Sequence, residues 1–573
     1  MFVMKRILTT ILLLTPIIFF SQSNSKYPKE DFISPMNIAL EPSGTFGELR
    51  SNHFHAGLDF KTNKKEGYDV LATADGFVSR IKYSTNGYGK AIYITHANGY
   101  TTVYAHLRKS NPEIEKYIKE QQYKNSSFEI ELYPKKDEIK VKKGQVIGYS
   151  GNTGGSGGPH LHFEYRDTAS EDIINPLLFG LKETFKDTKA PLLNNIYVYP
   201  LNDSTVVNKS ERKINLAFNK VGPNSFIANK VLAKGTIGFG VNSYDMYDGH
   251  FNKNGVYKIS MIVNGTPFYN VTFDRFAFAE SRYINSYIDY EHKETTGEYI
   301  QKLFAKESFP LSLISHNKTK GKLEVKPGDN FNVIIKIQDI HNNVTDITIP
   351  VVFENTPSTI KNPIQKTDYF IVAGRENMYQ KENVTVTIPK GTFVEDFYLD
   401  FDVNNSTVKL HKDIVPAYQN MTIEIEAKDL IDKGLDPKKS FIALVEKNKI
   451  THVNTQIKGT KFSAKTKTLG KYQILSDTVN PRIFGLNFKD GDTLDTKDSI
   501  VVYISDDLSG IKSYAGYLNG KWILMDYDYK TKSLIHYFSD AIYEDGKNVL
   551  KIMVTDKAGN SSTLDASFYK TKN

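Results

Sequence analysis

The stretch from Gly148 to Glu164 reads GYSGNTGGSGGPHLHFE, and it decides the fold of the first third of the chain. Its first part is rich in glycine, which predicts a tight turn. Its second part alternates polar and apolar residues, which is the pattern of a half-buried strand. On such a strand His160 and His162 share one face, while Leu161 and Phe163 face the core. The stretch therefore predicts a turn that leads into a strand with two histidines directed at one spot.

Histidines are concentrated around this stretch. Six of the 13 lie between positions 53 and 162, far more than an even spread along 573 residues would place there: His53, His55, His96, His106, His160 and His162. In the run HAGLD, His55 and Asp59 are four apart, so an extended chain puts both on one face. No comparable motif surrounds His53 or His96, which we expect to be ordinary surface or structural histidines.

This set of side chains suits a zinc ion. Zinc accepts imidazole nitrogen and carboxylate oxygen, and a catalytic zinc site keeps a fourth position for water beside three protein ligands. His55, Asp59 and one member of the His160/His162 pair would supply those ligands. The other member, together with His106, would be free for proton transfer and charge stabilisation. Periodicity alone leaves open which histidine of the pair binds the metal.

Three separated motifs resemble those of the LytM-type, or lysostaphin-like, zinc endopeptidases of family M23. They are HxGxD at His55 to Asp59, YAHL at Tyr104 to Leu107, and the long run that ends in HLHFE. The resemblance covers roughly residues 40 to 180. It departs from the family pattern mainly in an insertion from Ser110 to Ile139, inside which the run from Pro112 to Gln122 predicts a helix.

The resemblance also implies a role for each candidate residue. In that family, the residues that correspond to His55, Asp59 and His162 bind zinc. The matching positions at His106 and His160 are catalytic. The expected cofactor is therefore Zn²⁺, and the expected fold of the domain is a LytM-like β-sheet.

The sequence after Lys186 changes to short alternating runs punctuated by Asn, Asp, Lys and Thr, which is the pattern of β-sandwich modules. Two of its motifs recur: Asp187-Thr-Lys-Ala-Pro matches Asp477-Thr-Val-Asn-Pro, and Asp339-Ile-His-Asn-Asn echoes Asp556-Lys-Ala-Gly-Asn. One module type is therefore predicted twice. In pattern it resembles immunoglobulin-like domains.

These patterns predict a mainly β protein in which a peptidase domain is followed by three β-sandwich-like modules. The predicted bounds are 23–186 for the peptidase domain, 189–357 and 481–573 for the repeated module, and 366–478 for a β-rich unit of different pattern. The aromatic content of 12% also favours strands. Oxygen-bearing side chains also cluster in one loop and could suit calcium, but their spacing misses the EF-hand pattern and favours turn-forming residues: Asp245, Asp248, Asn252 and Asn254.

The N-terminus has the layout of a signal peptide. Lys5 and Arg6 precede an apolar run from Ile7 to Phe20, and the sequence turns polar at Ser21. The run is shorter than the ~20 residues of a membrane helix, so an uncleaved anchor is the weaker alternative. We expect residues 1–22 to be removed and the rest, without a transmembrane helix, to be exported to the periplasm, the cell envelope or the medium.

Composition narrows the chemistry further. The net charge of +8 is modest for 573 residues and forms no basic stripe, so no nucleic-acid partner is expected. The absence of cysteine excludes disulfides, thiolate metal sites and a catalytic thiol. Any metal must therefore be held by histidines and carboxylates.

Together the sequence predicts an exported zinc metalloendopeptidase that hydrolyses peptide bonds in peptidoglycan cross-links or stem peptides. The peptidoglycan substrate is implied by the resemblance alone, and a protease of ordinary proteins is an alternative. A non-catalytic cell-wall regulator or binding protein is another, although all five site positions are intact. The β modules would position the enzyme, occlude its groove or bind a regulatory partner.

Overall fold

The computed structural model describes residues 26–305 and 309–571. The predicted signal peptide lies outside the described residues. Strands dominate the described chain, which confirms the mainly β fold class and its β-sheet modules. Within these two ranges, no helix is both long enough and apolar enough to cross a membrane.

The main sheet of the first domain holds seven strands in one hydrogen-bonded row. In chain order these strands are β1 Pro42–Gly44, β2 Leu58–Lys61, β3 Gly76–Tyr83, β4 Lys90–His96, β5 Tyr100–Ala105, β6 Ile130–Leu132 and β7 His160–Asp167. In the sheet they lie in the order β1-β2-β7-β5-β4-β3-β6. In the register of the sheet, His162 on β7 stands opposite Asp59 on β2 and Ala105 on β5. The three sequence motifs are therefore neighbours in the sheet.

The core fixes this register. Leu161, Phe163 and Tyr165 on β7 are fully buried, and burial of each apolar side chain is worth about 1.5–3 kcal/mol. A slip of one residue would turn these side chains outward and drive His160 and His162 into the core. The predicted alternation therefore determines which face carries the histidines.

The insertion forms a helix beside the sheet, α1 Pro112–Asn125, which confirms the predicted helix and extends it by one turn. Asn111 caps it by accepting a hydrogen bond from the Ile114 amide at 2.9 Å, and Pro112 occupies the first turn. A small sheet next to the helix consists of Asp69–Leu71, Val146–Tyr149 and Lys109–Ser110.

Three β modules follow. Residues 192–353 form a layered sheet whose longer strands are Leu192–Pro200, Val231–Tyr244, Lys258–Val263, Thr266–Thr272, Asn330–Gln338 and Val344–Phe353, with short helices Ile284–Tyr287 and Tyr290–Thr296. The next module has two five-stranded sheets. The first consists of Asn377–Lys381, Val384–Ile388, Met421–Glu426, Lys461–Thr466 and Thr455–Lys458. The second consists of Phe401–Asn404, Thr407–Leu410, Gly470–Ser476, Ser440–Glu446 and Lys449–His452. The last module has two sheets. The four-stranded sheet consists of Arg482–Gly485, Ser499–Ser505, Ser533–Tyr537 and Asp526–Asp528. The five-stranded sheet consists of Asp492–Thr493, Ser561–Lys570, Gly546–Asp556, Ile511–Leu518 and Lys521–Ile523.

The first two units share a hydrophobic core. Phe46, Phe54 and Ile173 from the first domain pack in one cluster with residues of the following module, such as Phe276. The strand Ile173–Ile174 pairs both with β7 and with the strand Arg275–Phe276. The predicted boundary at 186 stays a prediction, and a fragment that ends there would lose buried packing partners.

The last module packs against the first domain from the other side. The ring of Trp522 contacts Tyr123 of α1 edge-on, with ring centroids 5.4 Å apart. Asp540 accepts a hydrogen bond from the Tyr123 hydroxyl at 2.6 Å and pairs with Lys119. The end of the chain therefore returns to the domain at its start.

Candidate active site and metal centre

The structure places all five predicted site residues in one cluster at the edge where β2, β5 and β7 meet. Asp59 lies on β2, and His55 lies just before that strand. His160 and His162 lie on β7, and His106 follows β5 directly. Residues that are 107 positions apart in the chain are thus brought into contact by the strand order.

Three of these side chains form a tight triangle. His55 Nε2 lies 3.1 Å from His162 Nδ1 and 3.1 Å from Asp59 Oδ1. His162 Nδ1 lies 2.9 Å from Asp59 Oδ1. Three atoms with lone pairs therefore face one another around a single point.

The triangle fits a tetrahedral metal ion. Zinc binds imidazole nitrogen and carboxylate oxygen at about 2.0–2.2 Å, and tetrahedral geometry then separates the ligand atoms by roughly 3.3 Å. The observed separations are close to that value, and the donors are of the type that zinc accepts. His55, Asp59 and His162 can therefore hold a metal ion together.

The hydrogen bonds on the far side of each ring set which nitrogen faces the triangle. His55 Nδ1 lies 2.8 Å from the Thr45 carbonyl oxygen. A carbonyl only accepts, so Nδ1 holds the proton and Nε2 keeps its lone pair. On His162, Nε2 lies 2.9 Å from Glu164 Oε1, which leaves Nδ1 toward the triangle. Partners of this kind orient metal-binding histidines and raise their basicity.

The electrostatics of the triangle favour a cation. Burial alone would raise the pKa of Asp59, but His55, His160 and His162 lower it to well below its usual range. Burial would lower the pKa of His162, but hydrogen bonds to Asp59 and Glu164 raise it to about 9. A metal that binds through His162 Nδ1 must therefore compete with a proton for that nitrogen.

Glu164 is a site residue that the sequence analysis did not assign. Its carboxylate is fully buried between His162 and Arg166, whose guanidinium Nη2 lies 2.7 Å from Oε2. Burial raises its pKa, but Arg166 and His162 lower it to about 2, so it is ionised. Position 164 is two residues beyond His162, and the period of two along β7 is the signal that could have found it.

Tyr88 is a second residue that the sequence analysis missed. Its ring stacks on His162 with centroids 5.2 Å apart, and its hydroxyl donates a hydrogen bond to Glu164 Oε1. Tyr88 lies in a turn before β4, and no motif marks it. Its role depends on a contact between distant parts of the chain, which a single sequence does not reveal.

The other two histidines are held by the glycine-rich loop. His106 Nδ1 lies 2.8 Å from the Thr153 carbonyl oxygen, and His160 Nδ1 lies 2.8 Å from the Gly158 carbonyl oxygen. Because carbonyls only accept, both rings are protonated at Nδ1 and present Nε2 as an acceptor. The ring centroids of the pair are 4.8 Å apart.

His106 carries two signs of a constrained position. Its φ of +59° lies in the left-handed region, which non-glycine residues adopt rarely and often at functional sites. Burial lowers its pKa to about 3, and the neighbouring His162 and His160 add to the effect. His106 is therefore neutral at physiological pH.

Gly57, in the middle of the HAGLD motif, allows β2 to approach β7. A Cβ atom at this position would lie 2.2 Å from the Phe163 carbonyl oxygen, which is part of the backbone and cannot give way. The glycine therefore lets His55 and Asp59 reach His162.

The two remaining histidines of the window lie elsewhere. His53 is exposed, and its Nδ1 lies 2.9 Å from the Ser51 carbonyl oxygen. His96 is buried, with Nε2 2.8 Å from Thr102 Oγ1 and Nδ1 3.0 Å from the Asp75 carbonyl oxygen. Both therefore have local hydrogen-bond partners of the kind that structural histidines use.

Family models match two parts of the chain. The model of peptidase family M23 matches residues 53–124 and 123–176, which include all five site residues. The model of the Zu5-like domain matches residues 368–477.

Curated relatives match the same N-terminal part. An uncharacterized metalloprotease of Haemophilus influenzae is 36% identical over 130 residues, 23% of this chain and 22% of the relative. The DD-carboxypeptidase/endopeptidase Mpg of Neisseria meningitidis is 35% identical over 148 residues, 26% of each chain. The peptidoglycan DD-endopeptidase ShyC of Vibrio cholerae is 32% identical over 111 residues, 19% of this chain and 20% of the relative.

The match to these relatives covers no more than about a quarter of their length. Among solved structures, the catalytic domain of lysostaphin from Staphylococcus simulans is 26% identical, covers 24% of this chain and 91% of its own, and has a TM-score of 0.19. The part of the chain that carries the five site residues is therefore similar to peptidase family M23.

Proposed function

We propose that this protein is an exported zinc metalloendopeptidase that cleaves peptide bonds in peptidoglycan. The observation that carries the proposal is the triangle of His55, Asp59 and His162 with His106 and His160 beside it. Three ligands leave a fourth position for water or substrate. Two further histidines, His106 and His160, lie beside the triangle.

The division of labour follows from the hydrogen bonds. When bound, zinc would lower the pKa of a water molecule to about 7 and polarise a carbonyl. His106 and His160 each donate a hydrogen bond through Nδ1–H, so Nε2 is the atom of either ring that can take a proton from water. Once protonated, the same nitrogen can donate to the developing oxyanion or to the leaving amine. His160 Nε2 lies 3.4 Å from Asp59 Oδ1, within reach of this centre.

The substrate class and the compartment rest on separate supports. The relative of Vibrio cholerae is named a peptidoglycan DD-endopeptidase, and that of Neisseria meningitidis a DD-carboxypeptidase/endopeptidase. The signal-peptide layout of residues 1–22 supports export. A protease of ordinary proteins is the second candidate, because the five site residues act on the peptide bond itself and do not specify the rest of the substrate.

Digestion of purified sacculi by the full mature chain tests the proposal. We expect soluble fragments whose newly exposed amino and carboxyl termini identify the peptide bond that was cut. His162→Ala, prepared in parallel, should release none. Intact sacculi together with cleavage of an unfolded protein such as casein would favour the second candidate. No hydrolysis of either by zinc-loaded protein would indicate a non-catalytic regulator.

Glu164→Gln is expected to lower the affinity for zinc by about 10–100-fold, which is the usual cost of losing a partner behind a metal-binding histidine. The substitution removes the charge that holds His162 Nε2–H and leaves Arg166 buried without its carboxylate. Competition with a chromophoric chelator measures the affinity. Glu171→Gln, on an exposed turn after β7, is the matched control. Equal affinities in the two variants would contradict the role assigned to Glu164.

The last module touches the loop that orients both catalytic candidates. The Lys530 ammonium donates to the carbonyl oxygens of Asn152 and Ser156, and the Tyr529 hydroxyl donates to the Gly154 carbonyl at 3.3 Å. This loop supplies the carbonyls that fix His106 and His160. The module is thus placed to support the site as well as to border it.

Lys530→Ala is therefore expected to lower hydrolysis of a soluble peptide by about twofold to tenfold. A hydrogen bond from a charged donor is worth about 1.5–3 kcal/mol, and we expect less here because the Lys530 contacts are partly exposed to solvent. Steady-state kinetics of the full chain measure the effect, with Lys532→Ala in the same module as control. Higher activity in Lys530→Ala would instead mean that the module restricts access to the groove.

A further inference from the structure

A second group of acidic side chains lies away from the histidine site, where the first domain joins the following module. Asp187 lies in the linker, Asp245 follows the strand Val231–Tyr244, and Asp339 follows the strand Asn330–Gln338. One carboxylate oxygen from each lies within 4.8 Å of the others. All three residues are buried, with exposed fractions of 8%, 3% and 1%.

Several oxygens in this group have no hydrogen-bond donor. Asp187 Oδ2, Asp245 Oδ1 and Asn254 Oδ1 are all buried and unpartnered. Asn254 is joined to Asp245 through two backbone hydrogen bonds of 2.9 and 2.8 Å. His341 Nδ1 is 3.7 Å from Asp187 Oδ2, too far for a hydrogen bond. A buried acceptor without a donor costs about 1–3 kcal/mol, and more if it is charged.

The last module contains the same arrangement with its oxygens satisfied. Asp477, Asp506 and Asp556 occupy the matching positions, and Asn560 binds Asp556 there as Asn343 binds Asp339, both at 2.7 Å. There, however, Asp477 Oδ2 accepts a hydrogen bond from the Ser509 amide at 3.0 Å. The unpartnered oxygens are therefore a feature of the first copy and not of the module type.

A single proton cannot satisfy the first copy. Burial together with the neighbouring carboxylates raises the pKa of Asp245 to about 8 and that of Asp187 to about 6. One shared proton would pair two oxygens and leave a third acceptor unpartnered. A cation can serve the three carboxylates at once, because carboxylate oxygens are ligands that calcium accepts, in flexible shells of six to eight at about 2.3–2.6 Å.

We propose that Asp187, Asp245 and Asp339 bind a calcium ion that fastens the linker after the first domain to the module that follows it. The surroundings of the cluster couple it to the first domain. His341 Nε2 lies 3.0 Å from the Lys182 carbonyl oxygen, and Tyr247 packs on Phe185 with centroids 5.7 Å apart. The ion would hold three chain segments at one point of this junction.

The loop after residue 244 differs from the sequence-based prediction. The sequence analysis interpreted Asp245 and Asn254 as turn-forming residues, whereas both are buried and pair with each other across the loop. Asp248 of the same loop faces outward and accepts hydrogen bonds from Thr188. The ligand set is thus drawn from three separate segments, which is why the EF-hand spacing is absent.

Calcium binding to the full chain tests this proposal. The metal-free protein is titrated with CaCl₂ to about 1 mM, within the range of extracellular calcium sites, and bound ⁴⁵Ca and the midpoint of thermal unfolding are measured. We expect calcium to raise the midpoint by several degrees in the wild-type chain. Asp245→Asn should lose this shift, and Asp248→Asn in the same loop should keep it.

Further variants separate the possible sites. His162→Ala should bind calcium like the wild type, which distinguishes this site from the zinc centre. Asp506→Asn should also keep the shift, because the second copy has satisfied oxygens. If Asp245→Asn does not fold, Asp187→Asn serves in its place. No bound calcium in the wild type, equal binding in Asp245→Asn, or loss in Asp506→Asn alone would overturn the proposal.

Discussion

His162→Ala is expected to lose both zinc and peptidase activity. The substitution removes one of the three proposed ligands, together with the link from the triangle to Glu164. Loss of a partner behind a ligand already costs about 10–100-fold in affinity, so loss of the ligand itself should exceed 100-fold. Metal content after dialysis and hydrolysis of a soluble peptide should fall together.

The effect must be separated from general damage to the sheet. His96→Ala is the matched control, because His96 is also a buried histidine of this sheet and makes two local hydrogen bonds outside the site. It should retain zinc and activity even if its unfolding midpoint falls. Stoichiometric zinc and full turnover in His162→Ala would overturn the assignment of this ligand.

The sequence alone predicted the site residues whose positions depend on the alternation of side chains along a strand. The alternation in HLHFE predicted which side chains of β7 face the core, and that face is buried as expected. The HAGLD spacing placed His55 and Asp59 together for the same reason. The family resemblance added which member of the His160/His162 pair would bind the metal, a distinction that the period of two cannot make.

The sequence was insufficient where a contact joins distant segments. Tyr88 reaches Glu164 across 76 residues, and Lys530 reaches the glycine-rich loop across more than 370. Neither lies in a motif, so only the strand order and the packing of modules reveal them. The acidic cluster shows the same limit: its repeated motifs were visible as a pattern, but the burial that leaves Asp245 Oδ1 without a hydrogen-bond donor was not.

Replacing His106 or His160 should differ from His162→Ala in metal content, because activity is lost while zinc is retained. Neither ring belongs to the triangle, and both are held through Nδ1 by loop carbonyls. Loss of a group that moves a proton or stabilises an oxyanion costs about 10²–10⁴-fold in rate. His160→Ala and His106→Asn are the preferred variants, because asparagine tolerates the positive φ of position 106.

Comparing the His160 and His162 variants also tests which histidine of the HxH motif binds the metal, because their distances to Asp59 differ by only a small amount. His160 Nε2 lies 3.4 Å from Asp59 Oδ1, and His162 Nδ1 lies 2.9 Å from the same atom. Only His162 also faces His55 Nε2, at 3.1 Å, and has a buried carboxylate behind it. We therefore expect zinc to remain in His160→Ala with kcat reduced at least 100-fold and the unfolding midpoint little changed. Zinc lost from His160→Ala but retained in His162→Ala would reverse the two roles and make His160 the third ligand.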